Sequence, residues 1–416
     1  MIDQTLNTPS DWKQYWPLVL AAAIGFSFHS LMTVFAGLYM QPMSEELGWS
    51  RTEFTIGLSV AAIISTIASP FFGVLIDRLG TRRLALPGIM LTSVAIASIA
   101  LMTSSIMHWL AIWVIFSFVS LAIKSTIWTA AVSGVFDKGR GLALGVVMAG
   151  NALTQIIVPP LGNWLIAEYG WRAAFVWLGF GWGSFAFLLC FLFFYDVHDK
   201  WRQKNGAASN EKIKKIELQG LTLGEAVYDR SLMRIAASTF ITMFFTVTFI
   251  VHLFPILTEA GVPRVTAAWY MSLSGIAAIF GKTITGYLLD RLNPSWVGAI
   301  TLCMGGLAFA LLMEGVRTTP LIILAIIING YTGGTKLQIC AYLTSRYAGM
   351  KNYGVIFGVM TSLIALGSGL GPVIGGMVYD AYGNYSQFLW AGLIGSVISG
   401  VIIFGLADYP DWKNKN

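Results

Sequence analysis

The sequence predicts an all-α membrane protein, with twelve transmembrane helices arranged as two six-helix bundles related by pseudo-symmetry. Three observations carry this reading. Of 416 residues, 56% are hydrophobic and 11% are charged, against roughly 25% charged residues in ordinary soluble domains. Predominantly apolar runs of about 20 residues, the length that crosses roughly 30 Å of hydrocarbon, occur twelve times. Landmark residues recur at a fixed separation of 213 positions. A soluble fold of this composition would need nearly every helix buried on all sides.

Taken in order, the spans fall at about 17–40, 53–76, 84–104, 109–136, 141–168, 173–195, 231–258, 266–290, 296–314, 320–347, 354–380 and 385–407. The first follows a polar, acid-containing leader and is too long for a signal-peptide core, with no small-x-small cleavage site behind it. It is therefore kept as a span. An even number of spans puts both termini on one side, and the basic residues say which. One set of loops holds nineteen Lys and Arg residues, among them Arg78, Arg82, Arg83, Lys138, Arg140, Arg291 and Arg346; the other holds Arg51, Arg172, Arg264 and Arg317. The termini and the long central loop are thus expected in the cytoplasm, with the chain multi-pass in an inner, cytoplasmic membrane. The net charge of +6 is then a topology signal. No basic stripe with interleaved aromatics lies outside the spans, so no nucleic-acid partner is expected.

The polar segment 196–230 divides the chain into an N-terminal bundle (1–195) and a C-terminal bundle (231–416). Shifting the first half by 213 places Pro42 on Pro255, Arg51 on Arg264, Gly73 on Gly286 and Asp77-Arg78 on Asp290-Arg291; Gly145 meets Gly358, Pro159 meets Pro372, and Tyr169-Gly170 meets Tyr382-Gly383. This is a tandem duplication with both copies in one orientation, the arrangement of carriers whose halves rock around a midplane site. Glycines of the fifth and eleventh spans, such as Gly141, Gly150, Gly162, Gly354, Gly367 and Gly375, suit close helix packing or sliding. Pro159-Pro160 and Pro372 favour kinks there. Cys190, Cys303 and Cys340 all fall inside spans and are odd in number, so neither a disulfide framework nor a metal site is expected.

After the second span the chain reads Gly73-Val-Leu-Ile-Asp77-Arg78-Leu-Gly80-Thr-Arg82-Arg83, with a degenerate copy ending in Asp290-Arg291. This resembles the loop signature of the major facilitator superfamily, and implies the major facilitator fold with these residues bracing a cytoplasmic gate through charge and helix-dipole contacts. Anchoring at the basic side explains the arginines equally well. Within that superfamily, Gly25-Phe26-Ser27-Phe28, the run Phe136-Asp-Lys-Gly-Arg140-Gly141-Leu-Ala143-Leu-Gly145 and Gly281-Lys282-Thr-Ile-Thr-Gly286 resemble the monocarboxylate porters and their oxalate/formate antiporter relatives. The resemblance implies that Lys282, at the position of a family arginine, binds a substrate carboxylate. Lysine keeps that charge without the planar fork. Ala278 stands where the proton-coupled porters carry an aspartate, and Met32 lies near the first-span lysine of the animal porters.

A charged side chain at bilayer depth costs about 2.5–3.5 kcal/mol on insertion scales and is a functional candidate by default. Three qualify: Lys124, Lys282 and Lys336, and no span has a carboxylate at its centre. Unpaired cations around one cavity call for an anion. His29 is a candidate donor to it, or a packing histidine; Phe28, Trp128 and Tyr331 are candidate lining or packing rings. The expected function is secondary active transport of small organic carboxylates, mono- or dicarboxylic, by alternating access, proton-linked or by anion exchange. The alternative is a proton-driven drug or metabolite efflux antiporter, which would need a buried membrane acid. The expected partners are the organic anion, with or without a proton, and the lipid bilayer, for a monomer without cofactor or metal. Motifs of a phosphate-binding loop, a paired-histidine metal site or a nucleophile elbow are absent from the sequence, and no enzyme is expected.

Overall fold

The structure, a computed structural model, describes residues 11–136, 140–195, 220–349 and 351–406. Most of the expected linker 196–230, and Lys138, lie outside the described residues. In chain order the helices are α1 Asp11–His29, α2 Leu31–Leu47, α3 Arg51–Leu79, α4 Thr81–Ser98, α5 Ile106–Ser120, α6 Ser125–Ser133, α7 Arg140–Val176 and α8 Gly183–Phe193. They continue with α9 Leu223–Tyr228, α10 Arg230–Glu259, α11 Arg264–Arg291, α12 Pro294–Leu311, α13 Thr319–Ala348, α14 Tyr353–Tyr382 and α15 Ser386–Ile403. Among the described residues there is no β-strand.

Among the described residues eleven helical stretches are long and apolar enough to cross a membrane, and one of them, Leu142–Phe193, is 52 residues long and holds two expected spans. The division lies at Gly170, where φ +77° breaks the helical path inside α7. Its repeat mate Gly383 has φ +71° and closes α14 through a bond from its N–H to the Tyr379 carbonyl (2.7 Å). Both turns use the left-handed region open mainly to glycine. The recurring Tyr-Gly pair is thus a recurring turn, and the twelve expected spans are accounted for. The first span is α1 plus α2, and the fourth is α5 plus α6.

Side chains of the first six spans, joined by Val251 of α10, form one apolar cluster around Phe28, Phe35, Tyr39, Trp109 and Trp128, while the last six hold two clusters, one around Phe249, Phe254 and Phe309 that takes in Leu38 of α2 and one around Ile235, Leu343 and Tyr347. Large apolar side chains such as Ile67, Phe71, Leu101, Met107 and Ile300 are exposed, as lipid-facing residues of a spanning bundle must be. Glycine sets the closest helix approaches. A Cβ on Gly150 would sit 2.1 Å from the Ala23 carbonyl oxygen, and one on Gly334 would sit 2.4 Å from that of Ala278. Both obstacles are backbone, so neither helix can yield locally. Gly150→Val is expected to cost about 1–3 kcal/mol or more through overpacking, read as a lower melting temperature of detergent-solubilised protein; Gly145→Val, where no heavy atom lies within 4 Å of the Cβ position, is expected to leave it unchanged.

Contacts between the first and last six spans run inward from the face opposite the basic loops. Gly376 lies against the backbone of Arg51 and Thr52, Ser59 Oγ donates to the Gly369 carbonyl (2.5 Å), and Ser272 Oγ donates to that of Ile156 (2.6 Å). Nearer the basic face, at the repeat mates Gly145 and Gly358, no opposing atom is within 4 Å. The cleft between the halves opens toward the basic face.

Candidate functional site

The fourth span is broken at mid-depth. Residues Leu121–Ile123 tighten into a 3-10 turn, Lys124 is extended (φ −69°, ψ 160°), and α6 starts at Ser125. Hydroxyl side chains crowd this region, and Thr129 Oγ1 bonds back to the Ser125 carbonyl (2.9 Å), a competition that weakens helix interiors. Trp128, fully buried, locks the break by donating its indole N–H to the Ile123 carbonyl (2.8 Å). The ring fits because Gly25 of α1 lies against it: a Cβ there would come within 2.3 Å of Cη2. Trp128 and Phe28 are therefore packing rings. A helix restarting inside the membrane presents unpaired backbone N–H groups and the positive end of its dipole.

Lys124 sits at this restart. Its Nζ donates to Ser65 Oγ (2.7 Å) and Ser69 Oγ (2.8 Å) of α3. The first span is also interrupted here, since α1 ends at His29 and α2 begins at Leu31. His29 lies within electrostatic reach of Lys124, and its buried Nδ1 has no hydrogen-bond partner. The two breaks thus bring a cation, a helix start and an unsatisfied imidazole nitrogen together.

From the last six spans, Lys282 of α11 reaches across the cleft, with Nζ 3.5 Å from the Met148 carbonyl of α7. Ala278, one turn earlier, is buried against Gly334 of α13. An acid at that position would meet α13 rather than open cleft. Tyr331 is half-buried and accepts a hydrogen bond from Thr285 Oγ1 (3.0 Å).

Lys336 is placed differently. It is 6% exposed and donates to Thr246 Oγ1 of α10. The repeat mate of Lys124 is Leu337, which is 45% exposed; the one-residue offset turns Lys336 by about 100° on its helix, into the interior of the last six spans. Among the described residues the ion pairs are Arg51–Glu259, Arg172–Glu46 and Arg317–Glu314, so none of the three lysines has a carboxylate partner there.

At the basic face, Gly80 takes φ +87° and its N–H bonds to the Ile76 carbonyl (2.9 Å), which ends α3 and lets α4 begin at Thr81. Arg82 donates to the Phe191 carbonyl (2.7 Å), tying α4 to the end of α8. Arg78 and Arg83 are exposed, Gly73 has open space at its Cβ position, and Arg291 lies over the Tyr287 ring at 4.2 Å. The side chains of Asp77 and Asp290, expected in the gate, lie outside the described residues.

The opposite face carries a cluster that the sequence reading did not assemble. Arg51, the first residue of α3, pairs with Glu259, donates to Tyr385 Oη and lies 3.3 Å from the centroid of the Tyr379 ring. Asp380 of α14 accepts from the α3 start, at Arg51 N (3.1 Å), Thr52 N (2.9 Å) and Thr52 Oγ1 (2.5 Å). Tyr385 Oη lies 2.8 Å from His252 Nδ1, whose Nε2 is 2.9 Å from the Pro372 carbonyl; the network assigns the ring proton to Nε2. Arg264, the repeat mate of Arg51, reaches the other way, to Gln41 Oε1 (2.8 Å) and the Leu38 carbonyl (3.4 Å). Two of the four arginines on the sparsely basic side therefore latch the halves together.

The family model described as Major Facilitator Superfamily matches residues 20–372 and again 235–416. The chain belongs to the major facilitator superfamily. It is a multi-pass membrane transporter of that family rather than an enzyme. Monocarboxylate transporter 13 of Rattus norvegicus is 24% identical over 409 residues, covering 95% of this chain and 90% of the rat protein. Human monocarboxylate transporter 12 is 25% identical over 306 residues, covering 67% of this chain and 58% of its own length. Among solved structures, a bacterial homologue of the human lysosomal transporter Spinster, described as inward-facing and unoccupied, superposes with a TM-score of 0.69 at 17% identity over 95% of both chains. That likeness supports the fold.

Proposed function

We propose that this chain is a secondary carrier of small organic carboxylate anions, working by alternating access. The observation that carries the reading is that Lys124 and Lys282 lie at membrane depth with hydroxyl or carbonyl partners and no carboxylate partner among the described residues, while Lys336 lies apart inside the last six spans. A buried charge without a counter-charge is expensive, and an anion entering the cleft between Lys124 and Lys282 lowers that cost. The helix restart at Ser125 adds backbone donors on the same side. The relatives named as monocarboxylate transporters support the class. An efflux antiporter would instead call for a carboxylate inside the spans.

In this reading the basic face, with both termini, is cytoplasmic, and the chain acts as a monomer in an inner membrane. The cleft described here then faces inward. The gate residues Gly73, Asp77, Arg78, Gly80, Arg82, Arg83, Asp290 and Arg291 border its mouth, and the Arg51 and Arg264 latch closes the outside.

The test is uptake of radiolabelled lactate, pyruvate, oxalate, formate, succinate and benzoate into proteoliposomes, under an inward proton gradient and, separately, against each unlabelled acid inside. At least one acid is expected to be taken up tenfold or more above protein-free vesicles. If none moves in either mode, the carboxylate reading is wrong.

A further inference from the structure

The three membrane lysines do not share one environment. Lys124 and Lys282 border the cleft, whereas Lys336 is enclosed by helices of the last six spans. We propose that Lys336 and the hydroxyls around it form a proton-binding site, separate from the anion's site, which loads the proton that crosses with the anion. This assignment rests on the anion-carrier reading.

Four observations support it. Thr246 Oγ1 donates to the Thr242 carbonyl (2.6 Å), so toward Lys336 it can act only as acceptor, and a protonated Nζ with three N–H donors has this one acceptor among the described side chains. Lys336 also lines a cavity of about 10 Å³ together with Ser238, Thr239, Thr242, Cys340 and apolar neighbours; this is about the volume one water needs, and the lining supplies the polar partners it requires. Past the cavity the hydroxyls are already joined. Thr242 Oγ1 contacts Ser399 Oγ of α15, and Ser399 Oγ lies 2.7 Å from Ser238 Oγ. Finally, Ser238 is eight residues into α10, about 12 Å along the helix at 1.5 Å per residue, which places the end of the chain toward the basic face. Cys340 is the other ionisable group lining the cavity, and no carboxylate is there to hold the proton instead.

The transfer balances through one water. An Nζ–H bond of Lys336 breaks and an O–H bond forms on the water in the cavity, leaving a neutral amine; the water passes one proton to Thr242 or Ser399. Each hydroxyl takes one proton and gives one, and from Ser238, itself fully buried, the last proton passes to a water entering from the basic face. Loading runs the same steps backward. An anion at Lys124 and Lys282 favours positive charge on Lys336, so proton and anion are bound together and leave together.

Lys336→Met and Thr246→Val separate this role from substrate binding, because exchange of one anion for another carries no net proton. The same labelled lactate, pyruvate, oxalate, formate, succinate and benzoate serve as probes in proteoliposomes. For whichever acid the unaltered chain moves, Lys336→Met is expected to keep exchange within about threefold and to lose at least tenfold of the accumulation driven by an inward proton gradient. Thr246→Val is expected to change in the same direction by a smaller factor. Loss of exchange together with accumulation would make Lys336 a substrate ligand, and retention of both would remove it from coupling. Either result overturns the assignment, as does exchange without proton-driven accumulation in the unaltered chain. If no acid moves in either mode, the carrier reading itself fails and takes this one with it.

Discussion

Lys124→Gln is expected to weaken binding of the transported anion by about 10- to 150-fold while leaving the amount of folded protein in the membrane unchanged or higher. The size follows from the 1.5–3 kcal/mol that a hydrogen bond to a charged group contributes, at about tenfold for each 1.4 kcal/mol. The direction of the stability effect follows from depth. Lys124 Nζ is held by two serine hydroxyls, which solvate a cation without neutralising it, so a neutral side chain relieves part of the roughly 2.5–3.5 kcal/mol insertion cost. Lys124→Arg retains the charge and is expected to retain most of the affinity. The measurements are the KM of uptake and the ligand-induced rise in melting temperature across the carboxylate panel. Unchanged KM and unchanged ligand stabilisation in Lys124→Gln would remove Lys124 from the site.

The repeat made most of the fold legible in advance. Gly170 and Gly383 share a register and both are turns, and the arginines at 51 and 264 share a register and both cross between halves. What the repeat could not supply is rotation. Lys124 and Lys336 differ from the common offset by one residue, which leaves their depth nearly equal but turns their side chains to different neighbours. Sequence spacing measures depth along a helix well; azimuth needs the packing partners. The helix breaks were hidden for a related reason. Runs 17–40 and 109–136 are each apolar enough on average to read as one continuous span, and that average marks neither Ser30 nor Lys124 as a break. The signal that was available is the clustering of Ser120, Lys124, Ser125 and Thr126, polar residues that compete for backbone groups. The outer latch had a fainter signal: Glu259 and Asp380 stand at span ends on the same side as Arg51, but their meeting depends on the two halves being closed there.

That closure gives the second large effect. Arg51→Gln is expected to raise the population open at the face opposite the basic loops by about 30-fold, from loss of about 2 kcal/mol of cross-half attraction. Arg51 is 16% exposed at its side chain and Glu259 is 32% exposed, so the pair is sheltered but not dry, and a value between the surface and the buried extremes applies. The bond to Tyr385 and the Tyr379 ring add to it, and all three partners of Arg51, Glu259, Tyr385 and Tyr379, belong to the last six spans. Arg264→Gln loses neutral acceptors, Gln41 and the Leu38 carbonyl, and is expected to shift the same equilibrium by a smaller factor. Because both substitutions bias one two-state change, their factors should multiply in the double variant unless the two arginines are coupled through α3 and α11. The readout is a cysteine at Ala62, which faces Gly369 across the closed contact, in a background with Cys190, Cys303 and Cys340 replaced. An impermeant maleimide added from the opposite face is expected to label it slowly in the unaltered latch and at least tenfold faster in Arg51→Gln. Equal rates would show that the latch does not hold the closed state. Asp380→Asn supplies the complementary arm: it removes the carboxylate from the α3 start while leaving Arg51–Glu259 in place, so an effect in the same direction would show that the helix-terminus contact and the ion pair act on one gate.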